Sequence, residues 1–407
     1  MRDRALRAIA ECKRIAAMSE EPGRIVRRFL TPPMRQVHAL LRGRMEAMGM
    51  SAEVDAAGNL RGLWQPRNTG GKRLVLGSHI DTVPDAGAFD GVLGVALALE
   101  WVEVAQELGL PLSIEVIAFS EEEGVRFGVP FLGSRAVAGH FDSALLLLKD
   151  AEGISVEDAI RDFGLDPSRI GEAALHPDAA GFVEIHIEQG PVLEAEDLRI
   201  ATVSAIAGQT RLSLAFKGHA NHAGTTPMRL RRDALAAAAE WITAVESLAE
   251  RSDGMVATVG KVRVEPNAGN VVPGFVQVSL DVRHSDDAAR AAGVEEMLAR
   301  AAGIAERRGI GLDRRDQLDQ LAVPMDERLT ALLGSAIEAA GFPLKTMASG
   351  AGHDAMVMAG KVPTAMLFLR SPGGISHHPA ETVLEEDVEA ALHVGREFLR
   401  RMASDVG

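Results

Sequence analysis

Apolar residues in the first part of the chain follow helical spacing in some segments and form short continuous runs in others. Residues 3–18 and 33–49 have the spacing of amphipathic helices. The runs 72–83 and 112–124 are rich in Leu, Val and Ile and end in polar residues, and a glycine-led apolar helix is predicted between them at 89–109. Strand, helix and strand in this order predict a βαβ unit in a parallel sheet.

A second group of elements begins near residue 209. A strand there, in which apolar and polar residues alternate, is followed by a helix at 232–250 and by two strands predicted to be antiparallel neighbours. Another helix and a last strand complete the group. The order β-α-β-β-α-β is typical of a ferredoxin-like domain. We therefore predict an α/β fold in which residues 1–208 and 323–407 form a larger mixed-sheet α/β domain, and residues 209–322 form an inserted ferredoxin-like α+β domain.

The composition fits two globular domains. The chain has 407 residues, more than one hydrophobic core usually serves, and 47% of them are apolar. The formal net charge of −14, the aromatic content of 4% and the absence of Tyr disfavour nucleic acid or an anionic membrane as a partner. The lone cysteine, Cys12, excludes an intramolecular disulfide and thiolate metal sites.

The chain also lacks the sequence features of secretion and membrane insertion. Its N-terminal stretch is charged throughout and has no apolar core of a signal peptide. No run of about eighteen consecutive apolar residues is present, so no membrane span is expected. A cytoplasmic location is the resulting expectation.

Polar side chains with metal-binding chemistry follow the predicted strands. Residues at positions i and i+2 of a strand share a face, so Asp81 is placed to orient the ring of His79, as the partner of a metal-bound histidine does. In α/β proteins this edge of the sheet holds the ligand site. The other candidates there are Asp90, the acids Glu121, Glu122 and Glu123, His186 with Glu188 and Gln189, and the pair His377 and His378.

None of these residues predicts a metal site alone, since a single histidine in a strand is more often a packed core or surface residue than a metal ligand. A run of three acids is usually a solvated turn. Their coincidence at strand ends beside glycines does predict one, and imidazole and carboxylate ligands without cysteine suit Zn²⁺, Mn²⁺, Co²⁺ or Ni²⁺. Three histidines and two carboxylates, one of them bridging, would hold two ions about 3.5 Å apart.

A series of longer motifs between residues 54 and 382 has a recognisable pattern. The motifs are GSHIDTV, FDGVLGV, EEEGVRF, HIEQGPVLE, GHANHAGTTPM, PNAGNVVPG, DVRH, SGAGHDAM and SHHPAE. They resemble the metallopeptidase M20 superfamily, and within it the branch of N-carbamoyl-L-amino-acid hydrolases, β-ureidopropionases and allantoate amidohydrolases. HIEQGP distinguishes this branch from the peptidases, which usually have a carboxylate at the position of His186.

The resemblance implies a set of metal ligands for two divalent ions. His79, Asp90 and His186 would bind one ion, and Asp90, Glu123 and His378 would bind the other, so that Asp90 bridges the two. Zn²⁺ is the first choice, with Mn²⁺, Co²⁺ or Ni²⁺ as alternatives.

The resemblance also implies catalytic roles. Glu122 would be the general base, because Gly124 fixes the register of the family's Glu-Glu-Gly within the longer acidic run. Glu121 is then expected to be a surface or supporting acid. His222 resembles the family residue that reaches the reacting carbonyl, and His219 is the less favoured choice.

Three further residues resemble groups that hold the substrate carboxylate. They are Asn270 and Arg283, with Gln189 nearby, and Arg is chemically suited because its planar fork pairs with both carboxylate oxygens. The alternative for Arg283 is that it is an ordinary exposed residue of a sheet without a role in substrate binding. His353 and Asp354 also lie in a family motif, but no role follows for them.

The resemblance finally implies an activity and an assembly. The larger domain would be zinc-peptidase-like and catalytic, and the inserted domain would serve as a lid and dimerise, so a homodimer is expected. The reaction would be hydrolysis of a ureido (carbamoyl) C–N bond in a small carboxylate, allantoate or an N-carbamoyl-L-amino acid, with release of ammonia and CO₂. The overall likeness favours allantoate.

Two alternatives stay open. A metallopeptidase or aminoacylase of the same fold would cleave peptides or N-acyl amino acids, and His186 argues against it. A metal-free binding protein on the same scaffold is the other, and the complete ligand set with Glu122 argues against that.

Overall fold

The computed structural model describes residues 1–66 and 71–406. The chain forms two compact units, one of Met1–Ser204 with Met325–Gly407 and the other of Ala205–Pro324. The predicted inserted domain, 209–322, lies a few residues inside the second unit. Among the described residues, no helix has the length and apolar content that a membrane crossing requires.

Helices and strands alternate along most of the chain. The α-helices are α1 Arg2–Ala16, α2 Pro32–Ala47, α3 Val92–Glu107, α4 Leu132–Ala138, α5 Val156–Asp162, α6 Val192–Ala195, α7 Ala234–Glu250, α8 Asp287–Arg308, α9 Glu327–Ala339, α10 Asp354–Met358 and α11 Glu385–Val406. Short 3₁₀ helices span Ser143–Leu147, Pro167–Ala173, Met228–Leu230 and Pro372–Gly374. The strands are β1 Ser51–Val54, β2 Leu60–Trp64, β3 Arg73–His79, β4 Ser113–Phe119, β5 Ala179–Ile187, β6 Ile200–Ile206, β7 Gly208–Lys217, β8 Asn221–His222, β9 Val256–Thr258, β10 Val262–Glu265, β11 Val271–Val272, β12 Phe275–His284, β13 Gly311–Gln320, β14 Val323–Pro324, β15 Thr346–Ser349 and β16 Thr364–Leu369.

The sheet of the first unit has the strand order β1-β2-β4-β3-β5-β16-β6, and β15 also pairs with β6. Its central strands β4, β3, β5 and β16 run parallel to one another. The carboxyl ends of parallel strands meet at one edge of a sheet, so the residues that follow these four strands are brought together there. The predicted mixed-sheet α/β fold is confirmed.

Helix α3 covers this sheet. Every residue from Val92 to Val102 is buried, which is typical of a helix enclosed by other layers. Its one buried acid, Glu100, pairs with Arg4 and Arg7 of α1 and with Arg44 of α2. These ion pairs compensate a charge that would be costly to bury alone.

The second unit is an antiparallel sheet with two helices. Its strand order is β10-β12-β7-β13, and β9 pairs with β12. Alternate residues of β7, Leu212, Leu214 and Phe216, are buried with Trp241 of α7 and Met297 of α8. The main elements β7, α7, β10, β12, α8 and β13 follow the predicted order β-α-β-β-α-β.

One predicted strand extends too far. Residues 112–124 were expected to form a strand, but β4 ends at Phe119. Glu121 has a φ of 48°, a left-handed conformation in which a residue other than glycine is strained. The acids Glu122 and Glu123 therefore lie on a turn, and the alternation of faces along a strand does not govern where their side chains point.

Candidate metal centre

Three buried side chains converge at the carboxyl edge of the first unit's sheet. His79 ends β3, Asp90 precedes α3, and His186 lies near the end of β5. Nε2 of His186 lies 3.3 Å from Oδ1 of Asp90 and 3.4 Å from Nε2 of His79. Potential donor atoms of all three residues lie within 4.8 Å of one another. The structure thus brings together the residues predicted to hold the first ion.

Backbone carbonyls fix the orientation of both imidazole rings. Nδ1 of His79 lies 3.0 Å from the carbonyl oxygen of Asp81, and Nδ1 of His186 lies 2.9 Å from that of Ile187. A carbonyl only accepts hydrogen bonds, so each Nδ1 carries the proton and each Nε2 offers its lone pair. This is the tautomer that a metal ligand needs.

Asp81 acts differently from the prediction. Its carboxylate Oδ1 is 3.7 Å from Nδ1 of His79, farther than its own backbone carbonyl. The two carboxylate oxygens instead accept the backbone N–H groups of Glu122 and Glu123, each at 3.0 Å. Asp81 therefore fixes both the His79 ring and the turn that carries the two acids.

A second group shares Asp90. Nε2 of His377 lies 3.1 Å from Oδ2 of Asp90 and 3.5 Å from Oε1 of Glu123. The prediction assigned this place to His378, and the geometry corrects it. His377 has a φ of 54°, which turns the chain there, and Nδ1 of His378 accepts the N–H of Ala380 at 3.1 Å.

Glu122, the predicted base, is 7% exposed and lies with His79 and Glu123 in a further group of potential donors. Burial, reinforced by the charges of Glu123 and Asp354, raises the pKa of Glu122 well above its usual range. Burial also raises the pKa of Glu123 to about 7. The hydrogen bond to Asp90 raises the pKa of His377 to about 9. Such a concentration of buried negative charge is what a divalent cation compensates, and the imidazole and carboxylate donors fit one.

Gln189 contacts the same carboxylate. Its Nε2 lies 3.1 Å from both Oδ1 and Oδ2 of Asp90 and 3.3 Å from Oγ of Ser376. The prediction gave Gln189 to the substrate. The structure places its amide at the candidate metal centre, against the carboxylate predicted to bridge the ions.

Sequence reasoning did not single out Glu381 and Gly91. Oε1 of Glu381 accepts the N–H groups of Phe89 at 2.9 Å and Asp90 at 3.0 Å, so it holds the backbone that carries Asp90. It is the last residue of SHHPAE, and that was the available signal. Gly91 has a φ of 65°, and a Cβ there would lie 2.5 Å from Nε2 of His79. A side chain at Gly91 would thus obstruct the metal-facing atom.

Glu121 is not a surface acid. It is fully buried, and its carboxylate accepts the N–H groups of Phe29 at 3.1 Å, Arg126 at 2.8 Å and Phe127 at 3.3 Å. It therefore ties the turn that bears Glu122 to two other segments of the chain. The supporting role is the one that the contacts indicate.

His353 lies directly behind the candidate metal centre. Its ring meets that of His186 edge-on with centroids 4.5 Å apart, and its Nε2 is 2.9 Å from Oγ of Ser349. Asp354 beside it is fully buried, and burial together with the charge of Glu184 raises its pKa well above the usual range. Both residues belong to the packing around the site.

The remaining predicted residues lie in the second unit. Nδ1 of His222 accepts the N–H of Gly224 at 3.0 Å, and the carbonyl oxygen of Asn270 accepts the N–H of Ala223 at 2.9 Å. His222 ends β8 and Asn270 directly precedes β11, the strand that pairs with β8. Nε of Arg283 donates to Oδ1 of Asp281 at 3.0 Å.

Comparisons with known protein families, related sequences and solved structures agree on one family. Residues 75–401 match the family described as Peptidase family M20/M25/M40. The chain is 39% identical to an allantoate deiminase of Arabidopsis thaliana, over 96% of this chain and 81% of the relative. It is 38% identical to an N-carbamoyl-L-amino acid amidohydrolase of Geobacillus stearothermophilus, over 91% and 92% of the two chains. A hydantoinase/carbamoylase family amidase from Burkholderia ambifaria superposes with a TM-score of 0.91 at 32% identity, over 99% and 98%.

Proposed function

The chain belongs to the M20/M25/M40 peptidase family, and we propose that it is a dimetal amidohydrolase that cleaves a ureido C–N bond in a small carboxylate substrate. The observation that carries the proposal is the buried cluster of His79, Asp90 and His186. The resemblance of the HIEQGP motif adds to it, since the peptidases of the superfamily usually have a carboxylate at the position of His186. The relatives that match nearly the whole chain are named for allantoate and for N-carbamoyl-L-amino acids, both of which contain a ureido group and a carboxylate.

His79, Asp90 and His186 would hold one divalent ion, and Asp90, Glu123 and His377 the other. Bound there, the ions would lower the pKa of a water molecule and polarise the ureido carbonyl. Zn²⁺ is our first choice, and Mn²⁺, Co²⁺ and Ni²⁺ are suited to the same donors.

The chain's own groups would move the protons and bind the charges. Glu122, buried beside His79 and Glu123, takes a proton from the attacking water and returns it to the leaving nitrogen. His222 stabilises the developing oxyanion as a hydrogen-bond donor. Arg283 and Asn270 bind the substrate carboxylate, with Gln189 as a further candidate. Water adds to the carbonyl, the C–N bond breaks, and the carbamate formed decays to ammonia and CO₂.

We further propose a homodimer formed through the second unit, which would also act as a lid. Strand β13 supports this, because it pairs with β7 on one side and stands at the end of its sheet. Leu318 on that strand and Leu321 just after it are exposed, at 36% and 66%. Unpaired strand edges readily pair with another chain. The cytoplasmic location stays a prediction.

The decisive experiment is a substrate screen that measures ammonia release. The protein is loaded in turn with Zn²⁺, Mn²⁺, Co²⁺ and Ni²⁺ and incubated with allantoate, ureidopropionate, N-carbamoyl-L-amino acids, dipeptides and N-acetyl amino acids. We expect chelator-sensitive ammonia release from a ureido compound, with allantoate favoured. Cleavage of dipeptides or N-acetyl amino acids instead would establish the peptidase or aminoacylase alternative. Binding of a ureido compound without turnover in the presence of every one of the four metals would establish the binding protein.

A further inference from the structure

In the second unit, the loop after β8 is built around the ring of His222. A backbone N–H can only donate, and that of Gly224 points at Nδ1 of His222 at 3.0 Å. Nδ1 therefore keeps its lone pair, and the neutral ring carries its proton on Nε2. Within the described residues, Nε2 has no hydrogen-bond partner. The loop thus selects one of the two tautomers of this histidine.

Gly224 also touches the ring sterically. A Cβ at this position would lie 3.2 Å from Cε1 and 3.5 Å from Nδ1 of His222, the first of which is tighter than ordinary contacts. Any side chain at Gly224 would thus press on the ring that its N–H holds.

Arg231 holds the same loop through two hydrogen bonds to its backbone. Its Nη2 donates to the carbonyl oxygen of Ala223 at 2.6 Å, and its Nε donates to that of Thr226 at 3.0 Å. The N–H and Oγ of Thr226 in turn donate to the carbonyl oxygen of His222, at 3.1 and 2.8 Å. A guanidinium can bind two carbonyls in a fixed geometry, which the single ammonium of lysine does not reproduce.

We propose that Arg231 and Gly224 are positioning residues that hold His222 as the Nε2–H tautomer, so that the ring donates to the oxyanion of the reaction. The inference rests on the proposed function of His222. The choice of tautomer matters because a neutral Nε2–H stabilises a developing negative charge, whereas the other tautomer would present a lone pair to it. Neither residue needs to touch the substrate.

The tautomer can be observed without any turnover. The full-length protein, labelled with ¹⁵N in its 12 histidines, is studied by long-range ¹H–¹⁵N NMR, and His222→Gln identifies the signal of His222. We expect a protonated Nε2 and an unprotonated Nδ1 in the wild type. In Arg231→Gln and Arg231→Lys the signals should shift towards a mixture of tautomers. A wild-type ring protonated on Nδ1 would overturn the proposal.

Kinetics of the metal-loaded variants complete the test. Loss of an oxyanion donor lowers kcat by about 10²–10³-fold, so partial misplacement of one in Arg231→Gln should lower kcat by roughly tenfold or more. KM should change by less than about twofold, because substrate binding is not altered. Arg231→Lys should not restore kcat, since it keeps the charge but not the fork.

A matched control is Arg232→Gln. Arg232 is exposed, and its backbone carbonyl, which the substitution keeps, accepts the N–H of His219 at 2.8 Å. This variant should keep the wild-type kcat and tautomer. If Arg231→Gln has the wild-type kcat and the wild-type tautomer of His222, the proposal that Arg231 positions His222 is refuted.

Gly224→Ala tests the positioning of His222 independently of Arg231, in case Arg231→Gln does not fold. It should lower kcat and shift the same NMR signals, and an unchanged variant would also refute the proposal. If instead His222→Gln keeps full activity and the wild-type ring is the expected Nε2–H tautomer, His222 does not have its proposed role in the reaction. The proposal that Arg231 and Gly224 position its ring then still holds.

Discussion

Nε2 of His377 lies 3.1 Å from Oδ2 of Asp90, whereas Nδ1 of its neighbour His378 accepts the N–H of Ala380. His377→Ala should therefore remove a ligand of one ion, and His378→Ala is the matched control. We expect the first variant to bind one metal ion fewer per chain and the second to keep the wild-type content. Elemental analysis after dialysis against a weak chelator measures this. Loss of metal from His378→Ala alone would restore the original assignment.

Glu122 and Glu123 are adjacent acids with different expected roles. Glu122→Gln should lower kcat by about 10²–10⁴-fold with metal content unchanged, as loss of a general base does. Glu123→Gln should lose metal as well as activity, because its carboxylate lies beside His377 and Asp90. Metal analysis and kinetics on the same preparations separate the two outcomes. Full turnover by metal-loaded Glu122→Gln would rule out that residue as the base.

Glu121 should contribute to stability more than an exposed glutamate does. In Glu121→Gln an amide NH₂ would face one of the three N–H groups that the carboxylate now accepts, those of Phe29, Arg126 and Phe127. An unsatisfied buried donor costs about 1–3 kcal/mol. Urea denaturation should show a decrease of that size, and Glu46→Gln, at an exposed position of α2, should show little change. Equal stability of the two variants would mean that these contacts are unimportant.

Arg283 should affect substrate binding more than turnover. Its Nε donates to Asp281, which orients the guanidinium. Arg283→Lys loses the planar fork, and a hydrogen bond to a charged group contributes about 1.5–3 kcal/mol, so KM should rise by roughly tenfold or more. Arg263→Lys, on the exposed strand β10, should leave KM unchanged. A lower kcat at constant KM would instead assign Arg283 to the reaction step.

His38 should make stability depend on pH. It is buried in α2, edge-on to Phe163 with centroids 5.6 Å apart, and burial, together with Arg42 and Arg35, lowers its pKa to about 3. The unfolded chain takes up this proton near pH 6.5 and the folded chain does not, so stability is present above that pH and falls as the pH drops towards 3.

A phenylalanine at this position cannot titrate. Between about pH 7 and pH 4.5, His38→Phe should therefore lose about 2–3 kcal/mol less stability than the wild type. Urea denaturation at both pH values measures the difference, and His140→Phe, at an exposed position, is the control. If the wild type and His38→Phe have the same pH dependence, His38 does not titrate as its burial requires.

The sequence by itself determined the fold class, the order of the elements and most of the candidate site. The repeat of apolar residues is a local property, and it placed β3, α3 and β4 with errors of up to five residues at their ends. Because parallel strands end at one edge, the polar residues after them had to meet, and His79, Asp90 and His186 do.

Only the tertiary structure decided which neighbouring side chain enters the site. His377 rather than His378 faces Asp90 because the backbone of His377 takes a positive φ, which no residue pattern in the SHHPAE motif indicates. Glu121 looked like part of a solvated acidic run, but its carboxylate accepts the N–H of Phe29, which is distant in sequence. Contacts of this kind depend on where the chain returns in space, and a local pattern carries no record of that.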